Sequence, residues 1–206
     1  MDGKGKLTRR VAAAALAGGA LGALLAGRPA WLIQFLAELK SVVWPSKPIQ
    51  PAGLVVHHSA TPPWRLPFET VDTIAADHAR RGLSVSFEGR VYHIAYHYII
   101  KPDGKVEPGR PELCRGAHTH TRKYNRWLGV CLLGYFDPKW IEPQYHAPTP
   151  KQMDALARLA REEMERYGFG PEAVVPHCAV NPTECPGKSF PWEEFMAGLG
   201  TGVRLT

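Results

Sequence analysis

The sequence predicts an α/β fold: a single domain of about 155 residues, built on a central mixed β-sheet flanked by helices and preceded by an N-terminal apolar segment. Three observations point there. Two short apolar runs, Gly53 to His57 and Gly129 to Tyr135, lack polar alternation, the pattern of strands buried on both faces. Stretches of helical period fall between and after them in irregular alternation, which calls for helices packed on a sheet. Ala95 to Lys101, the turn residues Pro102-Asp103-Gly104 and the return over Lys105 to Glu107 read as a hairpin, so at least one strand pair is antiparallel.

Composition narrows the class further. With 21% charged and 10% aromatic residues, the chain is that of a folded globular protein. The formal charge of +6 is modest, and Lys4, Lys6, Arg9 and Arg10 at the extreme N-terminus supply part of it. No basic run or stripe marks the domain, which argues against nucleic acid as a partner. A mildly basic surface suits an anionic polymer.

Those four cations precede Val11 to Gly27, an uninterrupted run of Val, Ala, Leu and Gly. A charged start followed by a short apolar run is the pattern of a secretory signal. The Arg9-Arg10 pair permits the twin-arginine route. No clean small-x-small cleavage site follows, so residues 1–30 read either as a removed signal peptide or as a retained signal anchor. Both place the domain outside the cytoplasm, in the periplasm or cell envelope. The second would tether it to the inner membrane through residues 11–27. Residues 31–52, with Pro45, Pro48 and Pro51, read as a semi-extended linker, and the domain spans 53–206.

Within the domain, Gly53 to His57 is the first strand. Phe68 to Arg81 follows as a helix with Val71, Ile74, Ala75 and His78 on one stripe and Gly82 as its stop. Ser84 to His93 reads as a loop along a cleft, and Arg110 to Asn125 is polar and irregular. Thr149-Pro150-Lys151-Gln152 is a capping box with proline at the first helical position. The helix it opens runs to Tyr167, stops at Gly168, and carries Met153, Leu156, Ala160 and Met164 as its apolar stripe and Glu162 with Arg166 as a surface pair. A last short helix, about Trp192 to Leu199, closes the domain.

The chemistry concentrates between Pro176 and Gly187. Pro176, Pro182 and Pro186 keep this segment out of a helix, and it carries His177 and Cys185 eight positions apart. A rigid loop that aims an imidazole and a thiol at one point suits zinc, and a catalytic zinc takes three protein ligands with a fourth position left for water. The spacing matches no CxxC-type structural zinc pattern. The third ligand is sought in His57-His58, where a buried strand ends. Neighbouring strand residues face opposite ways, so only one of the two can serve.

Taken together these pieces resemble the zinc-dependent type-2 N-acetylmuramoyl-L-alanine amidases, the group that includes phage lysozyme-type amidases and animal peptidoglycan-recognition proteins. The matching stretches, in order, are Val56 to Thr61; Ala95 to Ile100 with Asp103 to Arg110; Gly116-Ala117-His118; Tyr124 to Gly134; and His177 to Gly187. The resemblance implies an amidase and peptidoglycan-recognition-like α/β fold with zinc at one edge of the sheet, held by His57, His177 and Cys185. It implies hydrolysis of the amide between N-acetylmuramic acid and L-alanine in peptidoglycan or muropeptides, hence a cell-wall-degrading hydrolase, expected as a monomer. It points Tyr96 at the metal, where its phenol would bond the bound water or the developing oxyanion, and gives His118 a place lining the substrate. Thr183 stands where the phage enzymes carry lysine and the catalytic animal proteins carry threonine, so a hydroxyl replaces a cationic oxyanion donor there. Arg110 is open between a stem-peptide carboxylate and a structural salt bridge.

Two other readings compete. A peptidoglycan-binding module of the same fold would hold the polymer without cutting it, but members of the family that lose hydrolysis typically lose the ligand cysteine, and Cys185 is present. An exported chain could instead pair its cysteines. Cys131, mid-strand, reads as a buried thiol, while Cys114 and Cys178 are open between pairing and remaining free.

Overall fold

The computed structural model describes residues 45–137 and 146–201. The predicted signal or anchor, residues 1–30, and most of the predicted linker lie outside the described residues. No helix among the described residues is long and apolar enough to cross a membrane.

The central sheet has five strands: β1 (Leu54–His58), β4 (Tyr98–Ile100), β5 (Val106–Pro108), β6 (Leu128–Leu132) and β7 (Val174–Pro176), in the order β5-β4-β6-β1-β7. β1 runs parallel to both β6 and β7, β4 runs parallel to β6, and only β5 is antiparallel, so the sheet is mixed as expected. β2 (Val85–Phe87) and β3 (Arg90–Tyr92) form a separate two-stranded ribbon where the sequence predicted a loop. Its turn is Glu88-Gly89, with φ of 48° and 76°, both in the left-handed region that a two-residue hairpin of this hand requires. β7 was not expected either. Its three residues are too few to show a period.

The helices are α1 (Val71–Arg80), α2 (Pro150–Tyr167) and α3 (Trp192–Thr201). α1 starts at a Thr70–Thr73 capping box rather than at Phe68. α2 has the predicted limits: Thr149 and Gln152 cap it reciprocally, and Gly168 ends it at φ 70°. Arg166 pairs with Glu163 and Glu112, not with Glu162. Residues 45–52 run along the domain instead of hanging free, with Ser46 N bonded to Ser86 O at 2.7 Å and Ile49 N to Leu113 O at 2.9 Å.

Strand parity builds two cores. Leu54 and Val56 of β1, with Leu128, Val130 and Leu132 of β6, face Met153, Leu156 and Ala160 of α2 and Phe195 of α3. The opposite face carries the smaller cluster of Ile99, Cys131 and Leu133, covered by Ile74 of α1 and Ile94. A period of two therefore sends His57 toward the α1 side and His58 toward the α2 side.

Candidate metal centre

Three side chains from distant parts of the chain meet at the carboxyl ends of β1 and β7, where open α/β sheets commonly place their sites. His57 is the fourth residue of β1 and is buried. His177 opens the single 3-10 turn that follows β7, and Cys185 lies eight residues further on, in the loop that returns toward the end of β1. The ligand atoms of His57, His177 and Cys185 all lie within 4.8 Å of one another. Nδ1 of His57 is 3.9 Å from Cys185 Sγ, and the rings of His57 and His177 have centroids 4.3 Å apart. His58 contributes its main chain, its N–H donating to Cys185 Sγ at 3.3 Å, while its ring turns away and accepts from Phe136 N.

This trio fits a zinc ion. Nε2 of His177 is buried without a hydrogen-bond partner, a costly state for a polar atom and one that metal coordination would relieve. Burial, then His118 and His177 nearby, hold His57 well below the usual imidazole range, so it is neutral and able to ligate. Burial pushes the Cys185 thiol up to about 12, and a divalent cation would supply the charge that reverses this.

The Tyr96 ring lies 5.2 Å from the His57 ring and 5.4 Å from that of His78. Burial, then the Cys131 and Cys185 sulfurs, raise its phenol well above 10, so it stays a protonated donor. Tyr96 precedes β4 rather than lying in it, held by Arg110 N donating to Tyr96 O at 2.9 Å. Thr183 is exposed, and its Oγ1 accepts the Cys185 N–H at 3.2 Å, which leaves its own proton available to donate.

Two expected substrate contacts are placed differently. His118 is only 7% exposed, with one nitrogen on His57 and the other on the Trp127 carbonyl. Arg110 is buried, and its guanidinium donates to the main-chain carbonyls of Ile94, Leu83 and Arg115. These bonds replace both the substrate carboxylate and the salt bridge that the sequence left open. Neither arrangement is local, so no motif announces it. The four cysteines are free thiols, Cys131 buried as expected, Cys114 buried and Cys178 exposed.

Beside the trio runs a groove of about 490 Å³ that includes Tyr96, Thr61, Arg65, Glu69, Asp77 and Arg81 in its lining. Of these, only Tyr96 was singled out from sequence. Glu69 is tied to the groove wall by Thr61 Oγ1 and Thr73 Oγ1. A second groove of about 500 Å³ is lined by Lys47, Arg115, Arg122, Lys123 and Arg126. Among the described residues, none of these five cations is in a salt bridge.

The N-acetylmuramoyl-L-alanine amidase family profile matches residues 47–188. The endolysin of Enterobacteria phage T3 is 38% identical over 94 residues, which cover 45% of this chain and 58% of that protein. The chain thus spans a little over half the length of this curated relative. Among solved structures, the N-acetylmuramoyl-L-alanine amidase LysC from Clostridium intestinale URNW aligns with a TM-score of 0.59 at 30% identity, covering 77% of this chain and 96% of that one. Peptidoglycan recognition protein-LE in complex with tracheal cytotoxin, a monomeric diaminopimelic acid-type peptidoglycan, aligns at 0.56 and 26% identity, covering 72% and 82%.

Proposed function

The chain belongs to the N-acetylmuramoyl-L-alanine amidase family, and on that premise we propose that it hydrolyses the amide between N-acetylmuramic acid and L-alanine in peptidoglycan or its soluble fragments, with zinc held by His57, His177 and Cys185. The observation that carries this is the convergence of two imidazoles and a sulfur within 4.8 Å at the carboxyl end of the sheet, beside an open groove. When bound there, zinc lowers the pKa of its water to about 7 and polarises the scissile carbonyl.

The remaining steps belong to the chain. Tyr96, protonated, next to His57 and bonded to the Cys131 thiol in the resting protein, would donate to the oxygen that becomes negative as the amide carbon turns tetrahedral. Thr183 offers a second, uncharged donor from the Cys185 loop, and its acceptance of the Cys185 N–H holds that loop in shape. The groove past Tyr96 takes the extended part of the substrate, with Arg65 offering a cation to its anionic groups, while Asp77 and Arg81 pair with each other at 3.7 Å in the groove lining. Arg110 has a structural part, tying together the segments that carry Leu83, Ile94 and Arg115. The five cations of the second groove suit the carboxylates of a wall polymer. Export by residues 1–30, either as a removed signal peptide or as a retained anchor that tethers the domain to the inner membrane through residues 11–27, a periplasmic or envelope location and a monomeric state complete the proposal.

Mass spectrometry of muropeptide digests, with and without a chelator, tests the activity. Release of free stem peptide that stops on chelation is expected. Binding without release would instead make this a peptidoglycan-binding module. Cys185→Ala is expected to remove zinc and hydrolysis together, and full hydrolysis by the metal-free variant would refute the assignment.

A further inference from the structure

We propose that His118 is the positioning residue for His57: it fixes the His57 tautomer so that Nδ1, not Nε2, is presented to the metal. This rests on the zinc reading for its consequence, but the hydrogen-bond chain that carries it is a property of the protein alone.

The chain of bonds has one end whose direction is not open to choice. His118 Nε2 lies 3.1 Å from the Trp127 carbonyl oxygen. A carbonyl only accepts, so Nε2 carries the proton. A neutral imidazole has one N–H, so His118 Nδ1 holds a lone pair. That atom is 3.0 Å from Nε2 of His57, which must then be the donor. The proton of His57 is thereby assigned to Nε2, and its Nδ1 is bare. Nδ1 is the atom that faces Cys185 Sγ at 3.9 Å. An opposite tautomer at His118 would set two lone pairs against each other at Trp127. A doubly protonated His118 would reverse the bond to His57, put a proton on Nδ1 and close the metal position.

The fold builds a slot for this ring. A Cβ at Gly116 or at Gly129 would run into the His118 imidazole, so both positions need glycine for the ring to lie where it does. Gly129 is itself held from behind: its N–H donates to His97 Nδ1 at 2.8 Å, and His97 Nε2 in turn donates to the Cys114 carbonyl at 2.8 Å. The His97 and His118 rings are 5.8 Å apart. His97 thus fixes the β6 backbone that supports His118, and His118 fixes His57. Because both nitrogens of His118 are spent in this way, it has no donor or acceptor left for substrate.

Long-range proton–nitrogen correlation spectra of the imidazoles in the full chain test the tautomers, first without metal and then with zinc. Both His57 and His118 are expected as Nε2–H in the metal-free protein, and zinc is expected to shift His57 Nδ1. His57 as Nδ1–H, or His118 as Nδ1–H or imidazolium, overturns the proposal whether or not zinc binds. Zinc competition against a chromogenic chelator supplies the energetic test. His118→Leu, which removes the acceptor, and Gly129→Ala, which displaces the ring and leaves every polar group intact, are each expected to weaken zinc binding by about 10- to 100-fold. His118→Asn keeps an acceptor oxygen and a donor nitrogen and is expected to restore most of the loss. Wild-type affinity in folded His118→Leu would overturn the proposal. Failure of the wild-type protein to bind zinc would instead sink the metal assignment and leave the tautomer result standing. If the variants do not fold, the wild-type spectra decide.

Discussion

Replacing Tyr96 with phenylalanine removes one hydroxyl and little else. The ring keeps its place 5.2 Å from His57 and 5.4 Å from His78, so the packing beneath the groove survives. What is lost is a buried, protonated hydroxyl that bonds the Cys131 side chain and sits on a ring next to His57. If that donor meets the developing oxyanion, its removal costs about 3–4 kcal/mol of transition-state stabilisation, or roughly 10²- to 10³-fold in kcat. The same hydroxyl contributes at most about 1 kcal/mol to folding, which for a domain of this size lowers Tm by only about 2–4 °C. A kinetic assay of stem-peptide release, with zinc content and Tm measured on the same sample, separates the two. The expected result is a large fall in kcat, a KM close to wild type, full zinc occupancy and a nearly unchanged Tm. A second consequence follows from the raised phenol. Tyr96 remains a donor beyond its ordinary range, so it imposes no alkaline loss of activity below about pH 10. A kcat within threefold of wild type would refute the oxyanion role, and loss of zinc would show that the phenol supports a ligand instead.

Three other outcomes are expected. Glu163→Gln tests a buried carboxylate that accepts from Tyr98 and Arg166. Burial, then the Glu112 charge, raise its folded pKa, so the wild-type contribution is favourable below the ordinary glutamate range and is lost as pH rises through the folded value. The variant should therefore gain in Tm relative to wild type as pH goes from 5 to 8, and a gain that shrinks with pH would contradict the sign. Leu156→Ala opens a cavity at a fully buried position between α2 and the sheet and should cost about 2–5 kcal/mol by denaturant unfolding, where less than 1 kcal/mol would show that the core collapses around it. Reversing Arg122 and Lys123 to glutamate should weaken binding to an anionic wall polymer about tenfold at low salt and flatten its salt dependence without changing Tm, whereas unaltered binding would exclude that groove from the substrate path.

The sequence by itself determined whatever depends on neighbours along the chain. The limits of α2 follow from a capping box, a proline at the first position and a terminal glycine, all within a turn of the residues they control. The opposed faces of His57 and His58 follow from strand parity, and the unbroken apolar runs of β1 and β6 announce strands covered on both sides. That His177 and Cys185 share a proline-bounded loop was legible along the chain, and the family resemblance, not the residues alone, singled out His57 to join them; the structure brings the three within 4.8 Å.

Only the tertiary structure decided which polar side chains spend their hydrogen bonds on each other. His118 is 61 residues from the histidine it bonds, and nothing near Gly116-Ala117-His118 in the chain distinguishes a groove residue from one buried beneath a metal ligand. Arg110 stays open between a stem-peptide carboxylate and a structural salt bridge until its three carbonyl partners, from separate segments, are known. Arg166 chooses Glu112 and Glu163 over Glu162 because the fold carries Glu112 to that face of α2. β7 exists because β1 offers it an open edge, and not because Val174-Val175-Pro176 demands a strand. Local rules fix the conformation of a segment, whereas the partners of a buried polar group are set by desolvation, which acts only once the whole chain has closed around it.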